Sequence, residues 1–486
     1  MLLKNQDHIL PLTPRDLHSI AIIGPGAGQT VTIGQSGEKA LGFPGRDMSP
    51  LSVLQQAARK VPGSHIVFAV ADDMTGHPVP AALLQRIDRE IDYTVAANDA
   101  LPAGSNRTWR GALEIRQTGT YWMYLQLMGC KGKVKLDGQV RVRSGNLVLH
   151  GDVVQAAQDN VLPTTDNLDN VRVAVHLAAG LHSLEVDEEA DGSGRPVQIR
   201  LSWLTPTERR QDFAAALKAA REAGTVVVFG WGRGRPAYAL PGEQDRLISA
   251  IAAINPRTIV VLNTGQPDAL PWLDKVRGLL EMWYPGDGGG VATADVLLGR
   301  CDPAGRLPFT WARQLTQYVS HDPAHPERSS AGVAGVTHFS EGILIGYRWF
   351  DQQGIDPLFP FGYGLSYTRF VYKGLGVTRA ADGGLLVSFT LSNAGRVAGD
   401  EVPQVYLGAP APAPAGVQFA PRALAGFDRV SLEAGRSVPV RIHVPLRQLQ
   451  YWSVRDSAWR MGDGRRVVYV GASSRDVRLQ RTIVIR

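Results

Sequence analysis

The segment Gly230–Gly242 (GWGRGRPAYALPG) gathers side chains that bind rather than react. Trp231 offers a flat aromatic face for stacking, and Arg233 and Arg235 offer guanidiniums that can hold a carboxylate or hydroxyls. Neither arginine can donate a proton, because arginine does not deprotonate in proteins. The first carboxylate is Glu243, just past the Pro-Gly, and it reads as a first-turn acid favourable to the dipole of the helix that follows. A second carboxylate, Glu341 in Ser340-Glu341-Gly342, is the candidate catalytic group, against the plainer role of a loop anchor hydrogen-bonded to backbone. The stretch Phe339–Tyr367 is dense in aromatics, Tyr347 among them. Such rings serve either as stacking platforms for a ligand or as apolar anchors in an inter-domain seam. The run Trp283–Gly290 (WYPGDGGG) follows a strand and precedes the expected helix Val291–Leu298. It reads as a tight strand-to-helix turn, and it lacks the lysine and spacing of a P-loop.

These groups hang on a recognisable alternation. Ser19–Pro25, His65–Val70, Val226–Phe229, Thr258–Asn263 and Gly278–Trp283 read as buried strands. Leu51–Val61, Asp212–Ala223 and Glu243–Ile254 read as helices, and the alternation predicts a parallel sheet. From about Gly104 to Trp203 the pattern changes to polar–apolar alternation, with strands at Gly119–Met128, Asn170–Leu177 and Leu181–Asp187. Lys133–Arg143 reads as a hairpin turning at Asp137-Gly138. Within Gly119–Met128, Tyr121 shares a face with Met123, and Trp122 with Tyr124; one face is expected to be core, and the other either packs as well or stacks on a ligand. From about Phe370 short strands return, and the Pro-rich Ala409–Ala415 reads as an extended loop inside that sandwich.

The fold class is therefore multidomain, α/β plus all-β. An α/β/α sandwich is interrupted by a β-sandwich insert and followed by a second β-sandwich, with no TIM barrel. The expected bounds are 1–75 with 206–368, 76–205, and 369–486. With 486 residues the chain exceeds one core, and 53 glycines with 31 prolines fit many turns. A net charge of +6 is scattered, with no evident basic run of interleaved aromatics, so nucleic acid is not an expected partner. Cys130 and Cys301 stand far apart without His or Cys partners, which argues against a metal site or a disulfide framework. No cofactor is expected. No stretch is long and apolar enough for a membrane helix. The N-terminus MLLKNQDHILPL has no charged leader before an apolar run, so no secretory signal is expected and the location is left open.

Four ordered segments carry a resemblance. They are Leu2–Leu12; TIVVLNTGQPDALPW through DPAGRLPFTW within 258–311; FSEGILIGYRWFDQQGIDPLFPFGYGLSYT at Phe339–Thr368; and RALAGFDRVSLEAG with YVGASSRDVRL near the end. The chain is thereby identified as a member of glycoside hydrolase family 3, β-glucosidase type, in its C-terminal portion, with a fibronectin type III-like domain. The insert resembles the protective-antigen-type β module that some members carry. Such inserts, the resemblance implies, limit substrate length at the active-site mouth.

The resemblance implies hydrolysis of terminal β-D-glucosyl residues, with β-glucosides or gluco-oligosaccharides as partners. Retention needs two carboxyls about 5–5.5 Å apart. In the family the nucleophile is an Asp on a barrel preceding the segment that matches Leu2. Such a barrel takes about 250 residues, so the nucleophile is expected outside this chain. The family's acid/base is a Glu in the loop after the strand matching Val226–Phe229, where this sequence has no carboxylate before Glu243. Three expectations follow: a truncated or split hydrolase with a separately encoded barrel, a non-catalytic carbohydrate-binding or scaffold protein, or a degenerate remnant.

Overall fold

A computed structural model describes residues 1–28, 49–86, 101–144, 158–161, 164, 168–232, 238–286 and 288–486. Its two compact units are Leu12–Leu298, and Met1–Pro11 with Gly299–Arg486. Strand β1 (Leu2–Asn5) belongs to the latter, where Leu2 bridges Leu365.

In Leu12–Leu298, strands β2 (Ile20–Ile23), β3 (Ile66–Ala69), β14 (Thr225–Gly232), β15 (Thr258–Thr264) and β16 (Gly278–Glu281) lie side by side in the order β16-β15-β14-β2-β3. Every pairing among them is parallel. Their unbroken apolar runs reflect this, since a parallel sheet covered on both faces has no solvent side to alternate toward. Helix α1 is the short turn Pro14–Leu17, and α2 spans Pro50–Ala58. Helix α3 runs over Pro206–Glu222, six residues earlier than the expected start at Asp212. Pro206, where the α/β part is expected to resume, occupies the first helical turn, where its missing N–H costs nothing. Thr205 and Glu208 close a capping box around it. Helices α4 (Gln244–Ile254) and α5 (Gly289–Leu297) complete the α/β part.

The insert forms two five-stranded sheets. One contains β4 (His77–Pro78), β7 (Gly119–Met128), β10 (Gln158–Asn160), β11 (Asp169–Leu177) and β13 (Gln198–Leu204). The other contains β5 (Leu84–Arg86), β6 (Arg107–Ile115), β8 (Cys130–Leu136), β9 (Gln139–Ser144) and β12 (Gly180–Ala190). Trp109, Tyr121, Met123, Leu125, Val134 and Leu184 lie in the shared core. Strands β8 and β9 turn at Asp137-Gly138, both with positive φ (52° and 75°), the geometry that suits the twist of a tight hairpin.

The C-terminal unit carries a sandwich of β17 (Phe370–Arg379), β18 (Leu385–Asn393) and β23 (Ser437–Val444) against β20 (Gln404–Gly408), β21 (Arg422–Phe427), β26 (Gly464–Gly471) and β27 (Val477–Ile485). One core containing Val387, Leu391, Val405, Val440 and Val470 joins them. Two short ribbons accompany it, β19 (Gly399–Glu401) with β22 (Val430–Leu432), and β24 (Gln450–Ser453) with β25 (Ala458–Met461). The segment before the sandwich is irregular except for 3-10 turns and helix α6 (Tyr347–Gln353). Buried ion pairs tie it down, Arg306 to Glu401 at 2.6 Å and Asp351 to both Arg422 and Arg475. Because each charge has a partner, the desolvation cost is offset.

Candidate sugar-site residues and their surroundings

The carboxyl ends of β14, β15 and β16 form the mouth of the parallel sheet, the place where open α/β sheets hold ligands. Trp231 sits there, 2% exposed. The Gln244 side chain fixes its backbone, accepting from the Trp231 amide at 2.8 Å and donating to the Trp231 and Pro241 carbonyls. Tyr284 donates to the Gly232 carbonyl at 2.6 Å, and its ring lies 6.4 Å from the Trp231 indole. Trp231 is thus a packed wall rather than an open stacking platform. Arg233, Arg235 and Asp287 lie outside the described residues.

Glu281 closes β16 and is fully buried beneath the aromatic-glycine loop. It accepts from the Trp283 amide at 2.7 Å and from the Thr264 hydroxyl at 3.0 Å. Trp283 holds a positive φ of 55°, and Asn263 donates to its carbonyl. Desolvation outweighs these hydrogen bonds and pushes the Glu281 carboxyl up to about 8. Glu281 is a positioning residue that holds the loop. Its trace in the sequence is a lone acid in an apolar strand, GLLE.

The second aromatic face of β7 is not open. Trp122 and Tyr124 are buried with Met74, Leu204 and Trp231, so that face packs on the α/β part instead of stacking sugars. Around Trp122 runs a charge ladder. Asp72 binds Arg172 at 2.7 Å, the Arg172 guanidinium lies 4.0 Å from the Trp122 ring centre, and Arg209 lies 4.6 Å from it. Arg209 in turn binds Glu243 at 2.9 Å. Arg246 takes the other Glu243 oxygen at 2.7 Å. Glu243 is therefore the N-cap residue of α4 held by two guanidiniums, and its side chain makes no capping hydrogen bond. At Gly242, φ is +69°, and an added Cβ would stand 2.1 Å from Arg172 Nη2 and 2.6 Å from Asp72 Oδ2.

In the C-terminal unit, Glu341 is 7% exposed, and its carboxylate lies 3.7 Å from Arg328 Nε. Arg328 also donates to Ser340, which donates to Glu327, and the guanidinium lies 5.4 Å from the Trp349 ring centre. The backbone carbonyl of Glu341 accepts from Gln418. Glu341 anchors its loop through an ion pair and its main chain. Tyr347 accepts from the Leu424 amide at 2.7 Å and stacks on Phe361 at 4.8 Å. That joins the linker to the sandwich and leaves the ring 8% exposed, an anchor rather than a sugar platform. Among the described residues no group of three or more His, Cys, Asp or Glu side chains could hold a metal ion, and no helix is long and apolar enough to cross a membrane.

The described units thus hold a parallel α/β sheet split by a β-sandwich insert, and a second β-sandwich. The chain belongs to glycosyl hydrolase family 3: the model of that family's C-terminal domain matches residues 1–367, and that of the fibronectin type III-like domain matches 401–474. A β-glucosidase of Rhizobium radiobacter is 38% identical over 278 residues, covering 54% of this chain and 33% of the relative. Probable β-glucosidase H of Aspergillus clavatus is 28% identical over 526 residues, covering 98% of this chain and 60% of the relative. The crystal structure of DesR, a β-glucosidase from Streptomyces venezuelae in complex with D-glucose, superposes with a TM-score of 0.79 at 34% identity. It covers 100% of this chain and 58% of that one. The chain thus spans between a third and three-fifths of the length of these relatives.

Proposed function

We propose that the chain is the C-terminal portion of a β-glucosidase-type hydrolase acting on terminal β-D-glucosyl residues. The nucleophile comes from a barrel domain, either in one longer polypeptide or separately encoded. The observation that carries this reading is the similarity to DesR along the whole chain, occupying 58% of that protein. An exposed apolar run supports it: Val333, Val336, Phe339, Ile343 and Ile345 all face solvent, Phe339 at 79% exposure. Runs of this kind mark surfaces that another body covers. The assigned domains are 1–75 with 206–368 for the α/β sandwich, 76–205 for the protective-antigen-type insert, and 369–486 for the fibronectin type III-like sandwich. Arg233 and Arg235 are assigned to sugar binding. The test is an aryl β-glucoside assay of this chain with and without a family barrel domain supplied in trans. Hydrolysis is expected only with the barrel, and turnover by the pure chain would overturn the reading.

A second reading, a non-catalytic carbohydrate-binding protein, is favoured by one observation. The loop from Gly230 has no carboxylate before Glu243, and Glu243 is engaged by Arg209 and Arg246. Calorimetric titration with gluco-oligosaccharides tests it. Binding without hydrolysis in the presence of the barrel selects this reading.

A further inference from the structure

The ribbon β24–β25 displays two tryptophans outward. Trp452 and Trp459 face each other across the strands, with ring centres 5.6 Å apart and planes at 69°. They are 49% and 45% exposed, and Val454 beside them is 84% exposed. Their neighbours in sequence, Tyr451 and Ser453, turn the other way; Tyr451 packs on Phe419 and Ser453 is buried. A hairpin that needed these rings only for its own stability would not leave half of each in water.

One guanidinium lies against the rings. Arg447 lies over Trp459 at 3.9 Å, so Trp452 carries the barer face. Arg460 is taken by Asp456 at 3.0 Å. Among the described residues, no carboxylate lies within ion-pair distance of Arg447 or Arg455.

Size selects the occupant. A fully covered indole hides roughly 150–250 Å², so two half-exposed rings offer on the order of 200 Å². A stable protein interface takes about 800 Å² from each partner. One or two pyranose rings fit the smaller figure. Equatorially substituted sugars present flat C–H faces to an indole, and unpaired guanidiniums complement carboxylates in a planar, two-pronged way. Two rings with planes at 69° do not make the succession of parallel stacking platforms along a charged groove that single-stranded nucleic acid uses.

We propose that the Trp452–Trp459 ribbon is a glycan-binding site, taking a carboxylate-bearing, β-linked polysaccharide segment on the open indole, with Arg447 and Arg455 on its carboxylates. The site holds polysaccharide next to the chain and needs no barrel, so its failure leaves the hydrolase reading untouched. The experiment is calorimetric titration of the full chain with C6-oxidised cello-oligosaccharide, whose β-1,4-linked units are glucuronates. Saturable binding is expected, at least tenfold weaker in W452A and in the R447Q/R455Q double variant, largely retained in W452F, with unfolding midpoints unchanged. Absence of saturable heat would overturn the proposal, as would affinity unaltered by R447Q/R455Q. Equal affinity for neutral cello-oligosaccharide, or tighter Trp452-dependent binding of a single-stranded DNA oligonucleotide, would overturn it too.

Discussion

The carboxylate of Glu243 lies 2.9 Å from the Arg209 guanidinium, and Arg209 rests over Trp122 of the insert. The first acid after the loop from Gly230 thus joins the insert to the α/β sheet. Replacing Glu243 with Gln is expected to lower stability by about 0.5–1 kcal/mol, the scale of a partly exposed ion pair. In a barrel-complemented assay kcat should stay within a factor of about three, whereas loss of a general acid costs about 10²–10⁴-fold. The pH–rate profile checks the point, because only a proton donor would lose a limb of it.

Gly242 is the steric counterpart of that joint. Gly242→Ala puts a methyl group against Arg172 and Asp72 at a φ of +69°. Breaking a buried ion pair costs about 3–5 kcal/mol, and partial relaxation should leave a loss of about 2–4 kcal/mol. Urea unfolding should show this loss, whereas Gly138→Ala has open space around its Cβ and loses only what its own φ demands.

Glu281 predicts a pH dependence with a definite sign. Burial holds its carboxyl near 8 against an ordinary 4.5, so the folded state keeps a proton that the unfolded chain releases. Its contribution is fully present below about pH 4.5 and is lost as pH rises through about 8. Glu281→Gln should cost about 1 kcal/mol or less at pH 5, the scale of one altered hydrogen bond. The same variant should flatten the decline in stability between pH 5 and 8, which denaturant titrations at fixed pH values measure.

The apolar run at Val333–Ile345 can be probed without touching the core. Phe339→Asp should leave the unfolding midpoint within about 0.5 kcal/mol, as surface changes do. It should reduce self-association of the chain alone and weaken recovery of activity by a barrel supplied in trans. Sedimentation velocity and the reconstitution assay read the two effects separately.

Where local pattern decides structure, the sequence is legible. Gly119–Met128 is a strand over the expected residues, because its alternation meets the two-sided environment of a sheet, and Asp137-Gly138 turns as its chemistry requires. Pro206 shows the limit: the same residue ends one pattern and opens a helix, and only the Thr205–Glu208 pairing distinguishes them. The surroundings of the candidate site residues were far less legible. Trp231, Trp122 and Tyr347 look like sugar platforms until their partners, distant in sequence, are seen to cover them. Glu281 and the Asp72–Arg172 pair depend on groups that sequence neighbours do not reveal. The Trp452–Trp459 ribbon escaped notice for the opposite reason: the two rings meet only when the strands pair.

Asp72 lies before the insert, Arg172 within it and Gly242 beyond it, yet the three meet at one point. Grafting a different module between residues 76 and 205 would strip Asp72 of the Arg172 guanidinium while Gly242 still left room for it. The insert is not a detachable cassette: a chimera that exchanges it must rebuild positions 72 and 242 at the same time, because the three positions form one joint.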